Sequence, residues 1–309
     1  MGRMDEAYCR FVVALHDDPM MREPTVDDFQ AAIDLCAIEN LRVSDPRWMA
    51  AFHVSERRTP AYSQGRVFLA GDATNIHSPV GGQGMNTGIQ DAANLVWKLA
   101  LVESQRARPS LLDSYDGERK PISDALMKVS ATALRAATSS NWLLERFRDA
   151  LLSRIATLDA VQDRLRGAVS EIGIHYRRSA IVHDAGGDAP LHAGDRAPDC
   201  EAVDETGTRF RVFDLLKEPV HTVLAVKPED DVELPRLAHL LAAYRDVAQG
   251  SVLIDGDADF AKYYAGGSSM LYAIRPDGYI GFRGRCSDLD ALERWMSELF
   301  IKREDRSAF

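Results

Sequence analysis

The segment Leu69–Val102, LAGDATNIHSPVGGQGMNTGIQDAANLVWKLALV, sets an acid and a glycine-rich turn between a short apolar strand and a long amphipathic helix. RVFLA, residues 66–70, reads as a short buried strand ending at Gly71. Beyond the turn, Met85, Ile89, Ala92, Ala93, Val96, Leu99 and Ala100 recur at helical spacing. They predict a helix of about four or five turns with these residues as its apolar face. A strand that ends in Gly-Asp puts a carboxylate at the mouth of a sheet, where it accepts hydrogen bonds from ligand hydroxyls. Gly81, Gly82 and Gly84 leave room for the backbone to approach a flat or phosphorylated ligand. The helix then aims unpaired N–H groups and the positive end of its dipole at the same place.

Composition narrows the setting. With 309 residues the chain has the length of about two domains. Its formal charge of -10 and pI near 5.3 would repel nucleic acid and anionic membrane surfaces. No apolar run approaches the ~20 residues of a bilayer span, and MGRMDEAYCR has no apolar signal core. Cys9, Cys36, Cys200 and Cys286 stand too far apart in sequence to signal a zinc site or a disulfide framework. No metal site is expected, and a soluble, cytoplasmic protein is.

Hydrophobic period divides the chain into three parts, residues 1–183, a linker over 184–199, and 200–309. In the first part YCRFVVALH (8–16) and RWMAAFHVSERR (47–58) read as strands, and TVDDFQAAIDLCA as a helix opened by a Thr cap. Ser110 and Asp113 form a capping-box pattern before a helix that Pro121 interrupts or restarts, and further helices run to about Ile172. The Gly/Ala/Pro/Asp stretch HDAGGDAPLHAGDRAPD separates these from short alternating elements. HTVLAV, VELPRLAHLLAAYRDVA, SVLI, DADFAKYYA, the hairpin MLYAI–RPDG–YIGFR and DLDALERWMSELF read in order as βαβαββα, an α/β sandwich with a mixed sheet. This order resembles a thioredoxin-like domain. KPEDDVEL stands where that family carries CxxC, and GGSS precedes Met270 in place of a proline-bearing turn, so thiol–disulfide chemistry is not expected.

A carboxylate for hydroxyls and amides for an anion suit a ribityl chain and the N1/C2-carbonyl edge of a reduced flavin. GDATNIHSPVGGQGMNTGIQDAANLVWKLA resembles the second FAD-binding segment of the FAD-dependent aromatic hydroxylases of the phenol hydroxylase and p-hydroxybenzoate hydroxylase type. LLDSYDGERKPISDAL and AGDRAPD extend the likeness, the latter leading into a thioredoxin-like C-terminal domain as in the subgroup nearer phenol hydroxylase. The resemblance implies an α/β fold class: part of the FAD/substrate-domain α+β fold with a helical region, then a thioredoxin-like α/β domain. It implies that Asp72 binds the ribityl hydroxyls, that Pro79 lies near the flavin ring, that Gly84, Met85 and Asn86 present backbone amides to the pyrimidine edge, and that Gly71, Gly82 and Gln83 belong to the same cofactor-binding segment. It implies FAD as cofactor, NAD(P)H as co-substrate, O2, and a phenolic or other small aromatic substrate. Asn75 replaces the family's usual His, a change expected to tune the site without abolishing flavin binding.

Alternatives stand beside these readings. Arg57 lies fifteen residues before Asp72, where the family often has a flavin-facing arginine; a charged end of an exposed strand is the other reading. Trp48, Phe52 and His53 line an aromatic pocket or are ordinary strand residues, and His77 reads as structural, so no catalytic acid or base is assigned. The GxGxxG strand–turn–helix that opens the family has no counterpart before Tyr8. The chain is therefore expected to be the C-terminal part of such an enzyme, with the N-terminal FAD-binding half lost or supplied in trans, and a homodimer is a possible assembly. The alternative is a non-catalytic remnant or interaction module associating through the thioredoxin-like domain.

Overall fold

The computed structural model describes residues 2–3, 8–13, 23–35, 41–51, 57–76, 84–138, 173–187, 189–227, 233–264 and 269–308. The chain divides into two compact units, Met1–Ser55 and Glu56–Phe309. In the first, β1 (Gly2–Arg3) and β2 (Cys9–Arg10) pair antiparallel. Helix α1 (Val26–Leu35) begins after Thr25, whose backbone N–H and hydroxyl both donate to the Asp28 carboxylate at 2.7 and 2.8 Å. The Asp28 side chain thus reaches back to the residue that opens the helix and satisfies its N–H.

The strand expected over 8–16 is limited to Cys9–Arg10 among its described residues, and that over 47–58 to β3 (Arg57–Arg58). Period-two patterning does not supply a partner, and a strand exists only where one is in register. Arg57 and Arg58 find theirs in β6 (Asn75–Ile76). Trp48 is 77% exposed and stands outside any strand; Phe52, His53 and residues 14–16 lie outside the described residues.

In the second unit β4 (Ser63–Gln64) and β5 (Val67–Phe68) make a hairpin over Gly65, whose φ of 60° suits glycine. Helix α2 (Gly84–Glu103) has the length foreseen but the opposite orientation. Met85, Ile89 and Val96 are 74, 60 and 64% exposed, and Ala92, Ala93 and Ala100 are exposed as well. Its buried residues are Thr87, Asp91, Asn94, Leu95, Trp97, Lys98 and Leu101. Charged groups on that face find partners of opposite sign, which removes the penalty that ordinarily turns them to water. A turn over Pro109–Asp113 leads into α3 (Ser114–Thr138), which runs through Pro121 without interruption. The residue four before it, whose carbonyl a proline ring ordinarily crowds, is Gly117. Helices expected between residues 139 and 172 lie outside the described residues.

The C-terminal elements follow the foreseen order: β10 (His221–Val226), α4 (Glu233–Ala243), β11 (Ala248–Gly256), α5 (Ala258–Tyr263), β12 (Met270–Ile274), β13 (Ile280–Arg285) and α6 (Leu289–Leu299). β10 pairs parallel with β11 and antiparallel with β12, which pairs antiparallel with β13. Three further strands, β7 (His183–Asp184), β8 (Glu201–Asp204) and β9 (Arg209–Arg211), extend the sheet to the order β7-β13-β12-β10-β11-β8-β9. They are short and polar, and so left no apolar alternation in the sequence.

Both faces of β10 are buried. Val223 and Ala225 point to a core shared with Leu237 and Leu240 of α4 and Leu292, Trp295 and Met296 of α6. Leu224 and Val226 point to a second core with Leu253, Phe260, Tyr264, Tyr272 and Ile280. Trp97 and Leu101 of α2 belong to the first of these, so the glycine-turn helix and the C-terminal sheet share one hydrophobic core. Within it His221 is fully buried against Trp97, Trp295 and Phe300, and burial lowers its pKa to about 3, keeping the ring neutral. Cys200 and Cys286 are buried, and burial pushes the Cys200 thiol up to about 12, which leaves it unreactive.

The inverted burial of α2 has a direct consequence for stability. Ile89→Gln and Val96→Gln should each change the unfolding free energy by no more than about 0.5 kcal/mol. Leu101→Ala on the opposite face should cost about 2–5 kcal/mol. Urea denaturation of the three variants measures the contrast.

Candidate flavin-facing turn

β5 runs into the Gly-Asp turn. Gly71 has φ 61°, and its Cα faces Gly88 of α2 so closely that a Cβ on Gly88 would lie 3.2 Å from it. Two glycines therefore let the turn sit directly on the helix. The turn closes on itself, as Thr74 donates to the Gly71 carbonyl through N–H at 2.8 Å and through Oγ1 at 2.7 Å. It is tied to the helix by the Gly71 N–H, which donates to Asp91 Oδ2 at 3.2 Å.

Asp72 is exposed and accepts no hydrogen bond from the described residues, so its carboxylate faces outward, available to a ligand. Asn75, in contrast, is buried and donates from Nδ2 to the Tyr62 hydroxyl and to Thr74 Oγ1. It serves the packing beneath the turn. Gly84, Met85 and Asn86 open α2, whose first turn holds no acid, so nothing of its own neutralises the positive end of the dipole. Arg57 is exposed on β3, opposite Ile76, while its neighbour Arg58 pairs with Asp124 of α3 at 2.9 Å. Pro79, Gly82, Gln83 and His77 lie outside the described residues.

Under the turn lies a polar network that sequence reading did not single out. Glu118 of α3 accepts from Arg275 at 2.7 and 2.9 Å, from Lys98 at 2.8 Å, from Asn94 at 2.7 Å and from Ser179 at 2.6 Å. Arg275 also binds Asp277, which accepts from Trp97 Nε1 at 3.2 Å. Next to Glu118, Arg119 donates to Asp91 at 2.6 Å and to the Tyr176 hydroxyl at 2.9 Å. Carboxylates of Asp91, Glu118 and Asp277 are thus matched by Lys98, Arg119 and Arg275, with every side chain at most 2% exposed. Burial alone would raise the pKa of Glu118, but Arg275 and Lys98 outweigh it and hold the carboxyl well below the usual range. At Lys98 burial is the larger effect and lowers the pKa to about 8 against the pull of Glu118. The sequence signal was present in α2, where Asp91, Asn94 and Lys98 form a polar stripe at helical spacing.

The sign of the Lys98 shift sets a pH dependence. Because its folded pKa of about 8 lies below the ordinary 10.5, the unfolded chain binds more protons between those values. Lys98 therefore costs stability below pH 8, and that cost disappears as pH rises toward 10.5. In Lys98→Met this contribution to the slope of unfolding free energy against pH should vanish, a difference that denaturant titrations across the alkaline range record. Glu118→Gln should destabilise by about 3–5 kcal/mol, since it strands two buried cations.

No helix among the described residues is long and apolar enough to cross a membrane, and no group of His, Cys, Asp and Glu among them could hold a metal ion. Residues 2–130 match the model of the FAD binding domain. Pentachlorophenol 4-monooxygenase of Sphingobium chlorophenolicum is 32% identical over 284 residues, covering 85% of this chain and 51% of that protein. The 12-dehydrotetracycline 5-monooxygenase/anhydrotetracycline 6-monooxygenase of Streptomyces rimosus is 33% identical over 294 residues, covering 93% and 55%. Among solved structures, the anhydrotetracycline hydroxylase OxyS of Streptomyces rimosus aligns with a TM-score of 0.73 at 29% identity, over 90% of this chain and 53% of that one. The chain spans about half the length of the curated relatives it matches. The Gly-Asp turn and the start of α2 thus lie inside the stretch that matches an FAD binding domain, and most of the chain is similar in sequence and fold to part of these FAD-dependent aromatic monooxygenases.

Proposed function

We propose that this chain is the flavin-facing part of a monooxygenase that uses FAD, NAD(P)H and O2 to hydroxylate a phenolic or other aromatic ring. The observation that carries the reading is the outward carboxylate of Asp72 on a turn locked against α2, beside a helix start without acids. Asp72 accepts from the ribityl hydroxyls, with Gly71 shaping the turn, while the amides of Gly84, Met85 and Asn86 meet the pyrimidine edge. By the family resemblance Pro79, Gly82 and Gln83 are further cofactor-binding candidates, and Arg57 adds a positive charge. The fit is chemical: a free charged acceptor for hydroxyls, and unneutralised N–H groups for an edge that gains negative charge. Bound flavin supplies the oxygen chemistry, and the chain's own groups orient it, exclude water and stabilise charge.

In this reading the ADP half of FAD is held by a dinucleotide-binding half, joined to this chain or supplied in trans. The parts are residues 1–183, a linker over 184–199 and a C-terminal domain over 200–309 whose strand order supports a thioredoxin-like assignment without redox chemistry. The medium is cytoplasmic.

FAD titration of the chain together with a dinucleotide-binding half tests the turn. Asp72→Ala should weaken binding by about 1.5–3 kcal/mol per charge-assisted hydrogen bond lost, and excess FAD should partly restore activity. Gly84→Val should impair flavin reduction even at saturating FAD, because a branched side chain blocks the close approach. Parental FAD affinity and hydroxylation in both variants would reduce the turn to an ordinary loop.

A further inference from the structure

The buried network joins the Gly-Asp turn to a part of the fold with no assigned role, the Arg275–Gly278 hairpin turn between β12 and β13. Two routes connect them. Along the first, Gly71 N–H donates to Asp91, Asp91 accepts from Arg119, and Arg119 donates to Tyr176. The Tyr176 ring lies 4.3 Å from that of Tyr279, centroid to centroid, with the Arg275 guanidinium 5.1 Å from its centre. Along the second, α3 carries Glu118 next to Arg119, and Arg275 grips Glu118 with two parallel hydrogen bonds. Asp277 reaches α2 as well, accepting from Asn94 at 3.3 Å and from Trp97 at 3.2 Å. Asp91, Arg119, Glu118 and Arg275 are each at most 1% exposed.

We infer that Arg275 and Asp277 are positioning residues for the flavin-facing turn, holding α2 and α3 so that Asp91 captures the Gly71 N–H and Asp72 keeps its outward aim. The inference rests on the reading of Gly71–Asp72 as the flavin-facing turn. Its physical basis is the geometry of the hold. Arg275 presents a planar fork that fits a carboxylate in one orientation only, and it is locked from the other side by Asp277. In so deeply buried a cluster, each partner that moves leaves a charge unpaired, so the network has one low-energy arrangement and transmits displacement. The single hydrogen bond from Asp91 to Gly71 is where that arrangement meets the turn. The C-terminal part thereby acts on the cofactor turn through the buried network and without a thiol.

Hydrogen exchange on the full chain tests this, read by mass spectrometry over the peptide Leu69–Ile76. Asp277→Asn keeps the side chain's shape and removes the charge that locks Arg275; Arg275→Lys keeps the charge and removes the fork. Val226→Ala, in the opposite core, serves as a control for general loss of stability. Both hairpin variants should exchange the Gly71–Asn75 amides roughly fivefold faster or more, with the control within about twofold of the parent at matched stability. Should Arg275→Lys fail to fold, Asp277→Asn decides. Unchanged exchange at Leu69–Ile76 while the Asn94–Lys98 amides speed up would overturn the inference, as would equal acceleration in Val226→Ala. FAD titration of the same variants, with a dinucleotide-binding half present, separates the two readings. Weaker binding in step with faster exchange supports both; faster exchange with FAD affinity unchanged keeps the brace and overturns the flavin assignment of the turn.

Discussion

The carboxylate of Glu118 is shared between Arg275 of the C-terminal hairpin and Lys98 of α2, and the rest of the larger unit is arranged around it. A carboxylate almost wholly removed from water would be strongly destabilising by itself. Here its oxygens are saturated by Arg275, Lys98, Asn94 and Ser179, and the surrounding charges balance. Such a cluster contributes less to net stability than an apolar core of the same volume would. What it does impose is orientation, since each hydrogen bond is satisfied only at one rotation of α2 and one placement of the hairpin.

That constraint explains the exposed apolar stripe of α2. Burying Met85, Ile89 and Val96 in place of Asp91, Asn94 and Lys98 would gain about 5–9 kcal/mol of apolar transfer in all, at roughly 1.5–3 kcal/mol per side chain. It would also separate Glu118 from Lys98 and Arg119 from Asp91, leaving buried charges unpaired at several kcal/mol each. The network prevails. Trp97 and Leu101, on the same side as the charged groups, then seal α2 onto the core beneath β10 and β12.

Function and architecture meet at the Gly-Asp turn. The backbone of Gly71 is held from below by Asp91 and from the side by contact with Gly88, while Asp72 faces outward. A rigid backbone carrying a free carboxylate is the arrangement a ligand with several hydroxyls needs, because little ordering remains to oppose binding. The match of residues 2–130 to an FAD binding domain is what supports a flavin as that ligand.

Local chemistry was legible in the residues themselves. The glycines at 71 and 84, the acid at 72, the helix after them and the βαβαββα order of residues 221–299 each follow from backbone permissiveness, dipole direction or hydrophobic period, which act over a few residues. Tertiary structure decided which face of α2 is buried, that α3 continues through Pro121, that Asn75 packs inward, and that the polar strands at 183–184, 201–204 and 209–211 complete the sheet. It also decided that Asp91, Glu118 and Arg275, up to 184 residues apart in the chain, form one network. The reason is common to all of these. A charge or a short polar strand has no preferred environment of its own; its burial is favourable only when a distant segment brings the opposite charge or the free edge, and neither distance nor direction between segments is written in the local pattern.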